Sequence, residues 1–227
     1  MVDKRYSRNI KALSEAETKA LHEKKVCVVG LGGLGGYVVE ILARIGVLNI
    51  TAVDYDVFDP SNLNRQLFST EPYLNRAKTE GAIERIKQVN PAVRINAVKE
   101  KFTESNAVSI LQNHDCVVDA LDNIQTRLLL EDACEKANIP LVHGSIAGWY
   151  GQVASIFPGE KLLGKIYKNT KKEKGGEKEL GNLPFTASTI ASIQAAETVK
   201  ILCGRSVIRK ALIQIDLLDM EIQTVHL

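Results

Sequence analysis

Four charged residues stand where chemistry is expected: Asp54, Arg65, Lys78 and Asp122. Asp54 and Asp122 lie just past apolar runs, Arg65 lies in the loop that follows Asp54, and Lys78 opens the next amphipathic segment. Two cations and a carboxylate suit a triphosphate with a magnesium ion better than a dinucleotide, which carries less charge. Magnesium binds through one or two carboxylates plus phosphate oxygens, so Asp122 is the candidate metal ligand. Any one of these residues could belong to a surface ion pair. Four at successive element ends read as one pocket.

The pocket needs a floor, and Gly30, Gly32 and Gly35 supply the G-x-G-x-x-G spacing, with Gly33 between them. They follow Val26 to Val29, a β-branched run that suits a buried parallel strand. Glycine there permits a tight turn and lets the backbone approach a phosphate, with helix N–H groups and the positive dipole end facing it. A second strand, Ile50 to Val53, ends at Asp54, about twenty residues past the glycines. An acid at that distance commonly accepts from a ribose hydroxyl. Together these features predict a nucleotide site.

The elements around the site alternate. Ser14 and Glu17 form a capping box ahead of a short helix, Glu15 to Glu23. After Asp54 and Asp56 the stretch Val57 to Gln66 is loop chemistry: Pro60 stops regular structure, and Ser61 and Asn62 can bond their own backbone. A helix follows over Ala77 to Val89, opened by Lys78, where a cation opposes the helix dipole unless an anion is bound. Then come a strand from Arg94 to Val98, a helix from Ser105 to Leu111, and a strand from Cys116 to Ala120 leading into Asp122 and Asn123. A helix over Ile124 to Ala137 should present Leu128, Leu129 and Ala133 to the core, before a strand at Leu141 to His143. This rhythm predicts an α/β fold, a doubly wound, mostly parallel Rossmann-like sheet with right-handed crossovers.

From Gly144 the rhythm breaks. A strand at Gln152 to Phe157 follows with no intervening helix, so antiparallel strands are expected in the C-terminal part, closing with Ala211 to Ile215 and Glu221 to His226. Between them lies a polar crossover loop, about 158–184, with five lysines between Lys168 and Lys178, predicted to be mobile. A broad apolar helix over Thr186 to Leu202 is capped by Gly204. The domain reading is an N-terminal arm and helix, 1–24, and an ATP-binding domain, 25–227.

The totals exclude several classes. A net charge of +2 over 227 residues gives no ground for a nucleic-acid or membrane partner. No apolar run spans a bilayer and the first residues carry no apolar signal core, so the expected compartment is the cytoplasm. Cys27, Cys116, Cys134 and Cys203 stand singly in apolar segments, without a C-x-x-C pair. They read as buried hydrophobes rather than zinc ligands or disulfides.

Several segments taken together resemble one family. They are Arg5-Tyr-Ser-Arg8, Gly30-Leu-Gly-Gly-Leu-Gly35, Asp54-Tyr-Asp56, Ser61-Asn-Leu-Asn-Arg-Gln66, Arg76-Ala-Lys78, Asp119-Ala-Leu-Asp-Asn123 with Arg127, Gly151-Gln-Val153 and Ser192 to Glu197. In order, across nearly the whole chain, they resemble the MoeB/ThiF/HesA adenylyltransferases, relatives of the ubiquitin-activating enzymes. The resemblance implies an enzyme in which the C-terminal Gly-Gly carboxylate of a small ubiquitin-like sulfur-carrier protein attacks the α-phosphate of ATP, giving an acyl adenylate and pyrophosphate. By matching positions it implies that Gly33 and Asp54 hold the nucleotide. Asn62 and Arg65 then face the phosphates, with Ser61 and Gln66 in the same motif. Lys78 neutralises developing charge, and Asp122 holds magnesium beside Asn123. It also implies a homodimer in which Arg8 reaches the neighbouring site. The family's paired zinc cysteines have no counterpart here, so no zinc is expected, nor is a thioester or persulfide step implied. Trp149 is a candidate for lining the path of the carrier's tail or, equally, for a dimer or core contact.

Three rivals share parts of this pattern. An NAD-dependent oxidoreductase uses the same glycines and Asp54 but gives no joint role to Arg65, Lys78 and Asp122. A relative adenylating a threonylcarbamoyl carboxylate on tRNA needs a basic face that the near-neutral charge does not offer. A nucleotide-binding scaffold would have no use for the intact charged set.

Overall fold

The computed structural model describes residues 3–168 and 177–227. Its centre is an eight-stranded sheet in the order β3-β2-β1-β4-β5-β6-β7-β8. The first five strands are parallel: β1 Lys25–Val29, β2 Asn49–Val53, β3 Arg94–Val98, β4 Cys116–Asp119 and β5 Leu141–Ala147. β6 Tyr150–Ile156, β7 Ala211–Asp216 and β8 Glu221–His226 run antiparallel. This is the expected doubly wound sheet with an antiparallel extension.

Alternation along the strands gives two cores. Val26, Val28, Ile50 and Ala52 face one side, where α2 Gly35–Ile45, α3 Lys78–Val89 and α8 Pro184–Leu202 contribute Val38, Leu42, Ile86, Ile190 and Ala195. Cys27, Val29 and Val53 face the other, covered by α4 Glu104–Leu111 and α5 Ile124–Ala137 through Leu111, Leu130 and Ala133. Strand register places the loops: Val29 pairs with both Val53 and Asp119. The chain therefore leaves β1, β2 and β4 at one edge, carrying Gly30, Asp54 and Ala120 together.

The helix α1 Glu15–Glu23 has the predicted box, with Ser14 Oγ accepting from Glu17 N–H and Glu17 returning the bond. Its Leu21, with Leu13 and Tyr6 from the arm, is buried, and the Tyr6 hydroxyl accepts from Asn90 Nδ2 at 2.9 Å. Gly204 takes φ +67° past the end of α8, as a left-handed helix stop requires.

Several sequence expectations are corrected. In α5 Ala133 is buried and Leu128 and Leu129 pack half-buried against the core as expected, while the fully buried leucine is Leu130. β5 continues to Ala147, because it turns back into β6 through the two residues Gly148 and Trp149, with Gly148 at φ +58°. The crossover segment is not uniformly loop. Helix α6 Leu162–Ile166 buries Leu162 and Leu163 completely, and the Glu131 carboxylate accepts from Leu163 and Gly164 N–H at 2.7 and 3.1 Å. A short helix, α7 Glu177–Leu180, precedes α8. Most of the lysine-rich part, 169–176, lies outside the described residues.

Candidate functional site

The strand order changes direction between β1 and β4, the place where open α/β sheets bind ligands. A cavity of about 810 Å³ opens there. Gly30, Gly32 and Gly33 line its floor. Gly30 has φ +96°, and a Cβ on it would meet Ala120 O at 2.5 Å, so both the turn and the close packing of the two loops demand glycine. Gly35 is different: it does not line the cavity, and its Cβ would sit 1.8 Å from Gly30 O. It lets α2 butt against the end of β1, which aims the helix N-terminus at the opening.

Asp54 is buried at the cavity wall. One carboxylate oxygen accepts from Leu31 N–H at 2.7 Å and the other from Asp56 N–H at 2.8 Å. It thus ties the glycine loop to its own loop while still facing the space. Asp56 and Lys78 also line the cavity, paired at 3.3 Å; Lys78 is only 7% exposed. The segment after β2 brings Arg65 and Gln66 to the opposite wall. Arg65 Nη1 donates to Ser61 O and Asn64 Oδ1 at 2.9 and 2.8 Å. Burial pulls the Arg65 guanidinium below its ordinary pKa, and the nearby Asp122 charge pushes back. Asp122 and Asn123 enter from the loop after β4, with Asn123 Oδ1 capping α5 through Thr126 N–H.

Not every expected residue reaches the cavity. Ser61 and Asn62 shape the 3-10 turn below Arg65, Asn62 Oδ1 accepting from Asp59 N–H at 3.1 Å; neither lines the space. Arg8 lies exposed on the arm, away from its own chain's cavity. Conversely, Lys101, Gln125 and Asn182 line the cavity without standing in any of the motifs that mark the other residues. Lys101 follows β3, a strand-end position like that of Asp54, and this was the signal available. With Glu100 and Arg127 included, four cations and four carboxylates face the space. The charge is balanced, and three of the cations are held in place by protein groups: Lys78 by Asp56, Arg65 by Ser61 O and Asn64, and Arg127 by Leu121 O and the Tyr167 hydroxyl.

A second cleft of about 450 Å³ adjoins the first, sharing Arg127 and Ile146. Gln152, Tyr167 and Gln214 contribute to it. Behind the shared wall lies a buried polar pair whose meeting no local pattern in the sequence marks. His143 Nδ1 meets Asp119 Oδ2 at 2.7 Å, both residues being fully buried. Burial lowers the imidazole pKa, and the bond to Asp119 opposes that only in part. From α8, Gln194 Nε2 donates to Asp119 O and Val142 O, fastening the ends of β4 and β5.

Among the described residues no group of three or more His, Cys, Asp or Glu side chains gathers to hold a metal ion. Cys27, Cys116 and Cys134 are buried and Cys203 half-buried, all without disulfides; burial raises the Cys116 thiol to about 12. No helix among the described residues is long and apolar enough to cross a membrane.

With this geometry in view, comparisons with known proteins are specific. The chain is 34% identical to the SAMP-activating enzyme E1 of Haloferax volcanii, over 97% of this chain and 84% of that protein. It is 32% identical to the molybdopterin-synthase adenylyltransferase of Haemophilus influenzae, over 98% of this chain and 94% of that one. Among solved structures, Escherichia coli MccB with ATP superposes with TM-score 0.85 over 100% of this chain and 71% of that chain, at 19% identity, a likeness of fold. The ThiF family model matches residues 6–227, so the chain belongs to the ThiF family.

Proposed function

We propose that this protein is an ATP-dependent adenylyltransferase that activates the C-terminal Gly-Gly carboxylate of a small ubiquitin-like sulfur-carrier protein. The observation that carries this reading is the buried Lys78 ammonium facing, with Arg65, a cavity at the sheet's switch point. Its partner Asp56 is half-exposed, so water can take over the acid while the ammonium meets an anion in the cavity. The named relatives are an adenylyltransferase and an activating enzyme.

The residues present fit nucleoside triphosphate and magnesium. The glycine floor leaves room for phosphates, and Gln66 Oε1 is buried with no hydrogen-bond partner among the described residues. It is an acceptor suited to a hydroxyl or amino group of a nucleoside. Asp122, beside Asn123, would hold the magnesium; the ion when bound would neutralise phosphate charge.

The chemical difficulty is that a carboxylate must approach a phosphate, and two anions repel. Fixed cations in a water-poor site remove that repulsion without reorganising during the reaction. Arg65 is held by Ser61 O and Asn64, so its guanidinium meets the phosphates with little loss of side-chain freedom. Lys78 exchanges Asp56 for the charge that develops at the α-phosphate. No general base is needed, since the attacking carboxylate is already ionised at neutral pH. The second cleft offers an extended chain end a route past Arg127 to the α-phosphate, with Trp149 at the nearby β5–β6 turn packed at a tilt against Phe185, ring centres 4.7 Å apart. In the proposed homodimer, Arg8 of each arm serves the neighbouring cavity. We place the protein in the cytoplasm.

The deciding experiment is ATP–pyrophosphate exchange with candidate ubiquitin-like proteins ending in Gly-Gly, beside tRNA as a competing substrate. Exchange supported by a Gly-Gly protein, and lost when its last glycine is removed, is expected. Exchange with tRNA alone would replace this reading.

A further inference from the structure

The loop that carries Asp122 is held more firmly than a strand end requires. Leu121 N–H donates to Asp119 Oδ1 at 3.0 Å, and Leu121 O accepts from Arg127 Nε at 3.1 Å and from Nη2. Both peptide units flanking Leu121 are therefore clamped, and the second leads directly into Asp122. Asp119 needs its own orientation fixed to do this. Its other oxygen is occupied by His143, which stands opposite it in the β4–β5 register.

A carboxylate only accepts, so His143 Nδ1 carries the proton and Nε2 is left as an acceptor in the neutral ring. That nitrogen faces Gln152 Nε2 at 3.4 Å. Gln152 Nε2 also donates to the Tyr167 hydroxyl at 3.2 Å, which accepts from Arg127 Nη1 at 3.1 Å. The circuit closes on Arg127, the charged residue shared by the two cavities. One buried ring thus touches the chain that aims Asp122 on one side and the wall of the second cleft on the other.

We propose that His143 is a positioning residue for adenylation, acting through Asp119 to fix the Asp119–Asp122 turn and through Gln152 to fix Tyr167 and Arg127. This role rests on the adenylation proposed for the same site. Its consequence is that losing the Asp119 arm disturbs the position of Asp122, whereas losing the Gln152 arm disturbs the second cleft.

The two arms can be separated by substitution in the full chain. His143→Asn places an amide N–H near the position of Nδ1 and keeps the Asp119 bond. His143→Gln reaches the position of Nε2 and gives that bond up, while His143→Phe removes both. Hydrogen–deuterium exchange of the 119–123 segment, measured without nucleotide, should be near wild type in His143→Asn and faster in His143→Gln. In pyrophosphate exchange kcat should fall about tenfold in His143→Gln, with KM for ATP within about twofold, and stay within about threefold in His143→Asn, the scale seen for partners that orient a reacting group. Equal losses in Asn and Gln variants, tracking a common fall in Tm, would mean a packing role and overturn the proposal. So would unchanged segment protection in His143→Gln. These two variants decide the matter even if His143→Phe does not fold. Absence of exchange by the wild type with every Gly-Gly protein would instead defeat the adenylation reading, leaving the protection pattern to be judged by itself.

Discussion

Lys78 Nζ and Asp56 Oδ2 lie 3.3 Å apart at the cavity wall, the lysine side chain 9% exposed and the aspartate 47%. The pair is asymmetric, because water can solvate the acid but not the base. Asp56→Asn should therefore cost about 2 kcal/mol of stability without nucleotide, the range for losing a charged hydrogen bond. Thermal melting with and without ATP and magnesium checks this. The nucleotide should raise Tm more in the variant than in the wild type.

Arg65→Ala and Lys78→Ala remove cations proposed to act on developing charge rather than on ground-state binding. Each should lower kcat for pyrophosphate exchange on the order of a hundredfold, by analogy with single oxyanion donors. Binding of a non-hydrolysable ATP analogue, followed by calorimetry, should weaken far less. An unchanged kcat in both would remove the pair from the mechanism.

The glycines divide into two kinds. A Cβ on Gly35 would lie 1.8 Å from Gly30 O, whereas one on Gly33 would meet nothing nearer than Ala187 Cβ at 3.5 Å. Gly35→Ala should thus be strongly destabilising or fail to fold, as backbone cannot yield as a side chain can. Gly33→Ala should keep a native Tm and lose nucleotide affinity, since the added methyl lies on the cavity floor beside Arg65. Circular dichroism melts and nucleotide titration distinguish the two.

His143 gives the protein an acid-sensitive element. Burial holds its imidazole below the ordinary 6.5, so the unfolded chain binds that proton more readily than the folded one. The stability it contributes is present above 6.5 and is lost as pH falls through the window below it. Around the ring stand Asp119, Arg127 and Tyr167. His114, whose pKa burial also lowers, adds an effect of the same sign. Denaturant unfolding at about pH 7.5 and about pH 5.5 should show the wild type weakening in acid, and His143→Asn weakening less.

Much of the fold is written locally. The β-branched runs, the glycine spacing and the Ser14–Glu17 box each fix their own backbone through sterics and hydrogen bonds reaching only a few residues. Helix α5 and the strand ends could be read on that ground. So could the gathering of Asp54, Asp56, Arg65, Gln66, Lys78, Asp122 and Asn123 at one edge, because a parallel sheet sends successive loops the same way.

What local spacing does not contain is which side chains meet across the sheet. Asp119 and His143 are 24 residues apart, and only the β4–β5 register sets them opposite each other. Leu162 and Leu163 lie in a stretch whose polarity reads as loop, and are buried because α5 offers them a wall and Glu131 takes the backbone N–H groups of Leu163 and Gly164. Ser61 and Asn62 share a motif with Arg65, yet only the turn geometry leaves them supporting it from below. Sequence by itself determined the elements, their order and the edge where the chemistry stands. Tertiary packing decided which polar groups hold one another, since that depends on register and burial between segments the chain keeps far apart.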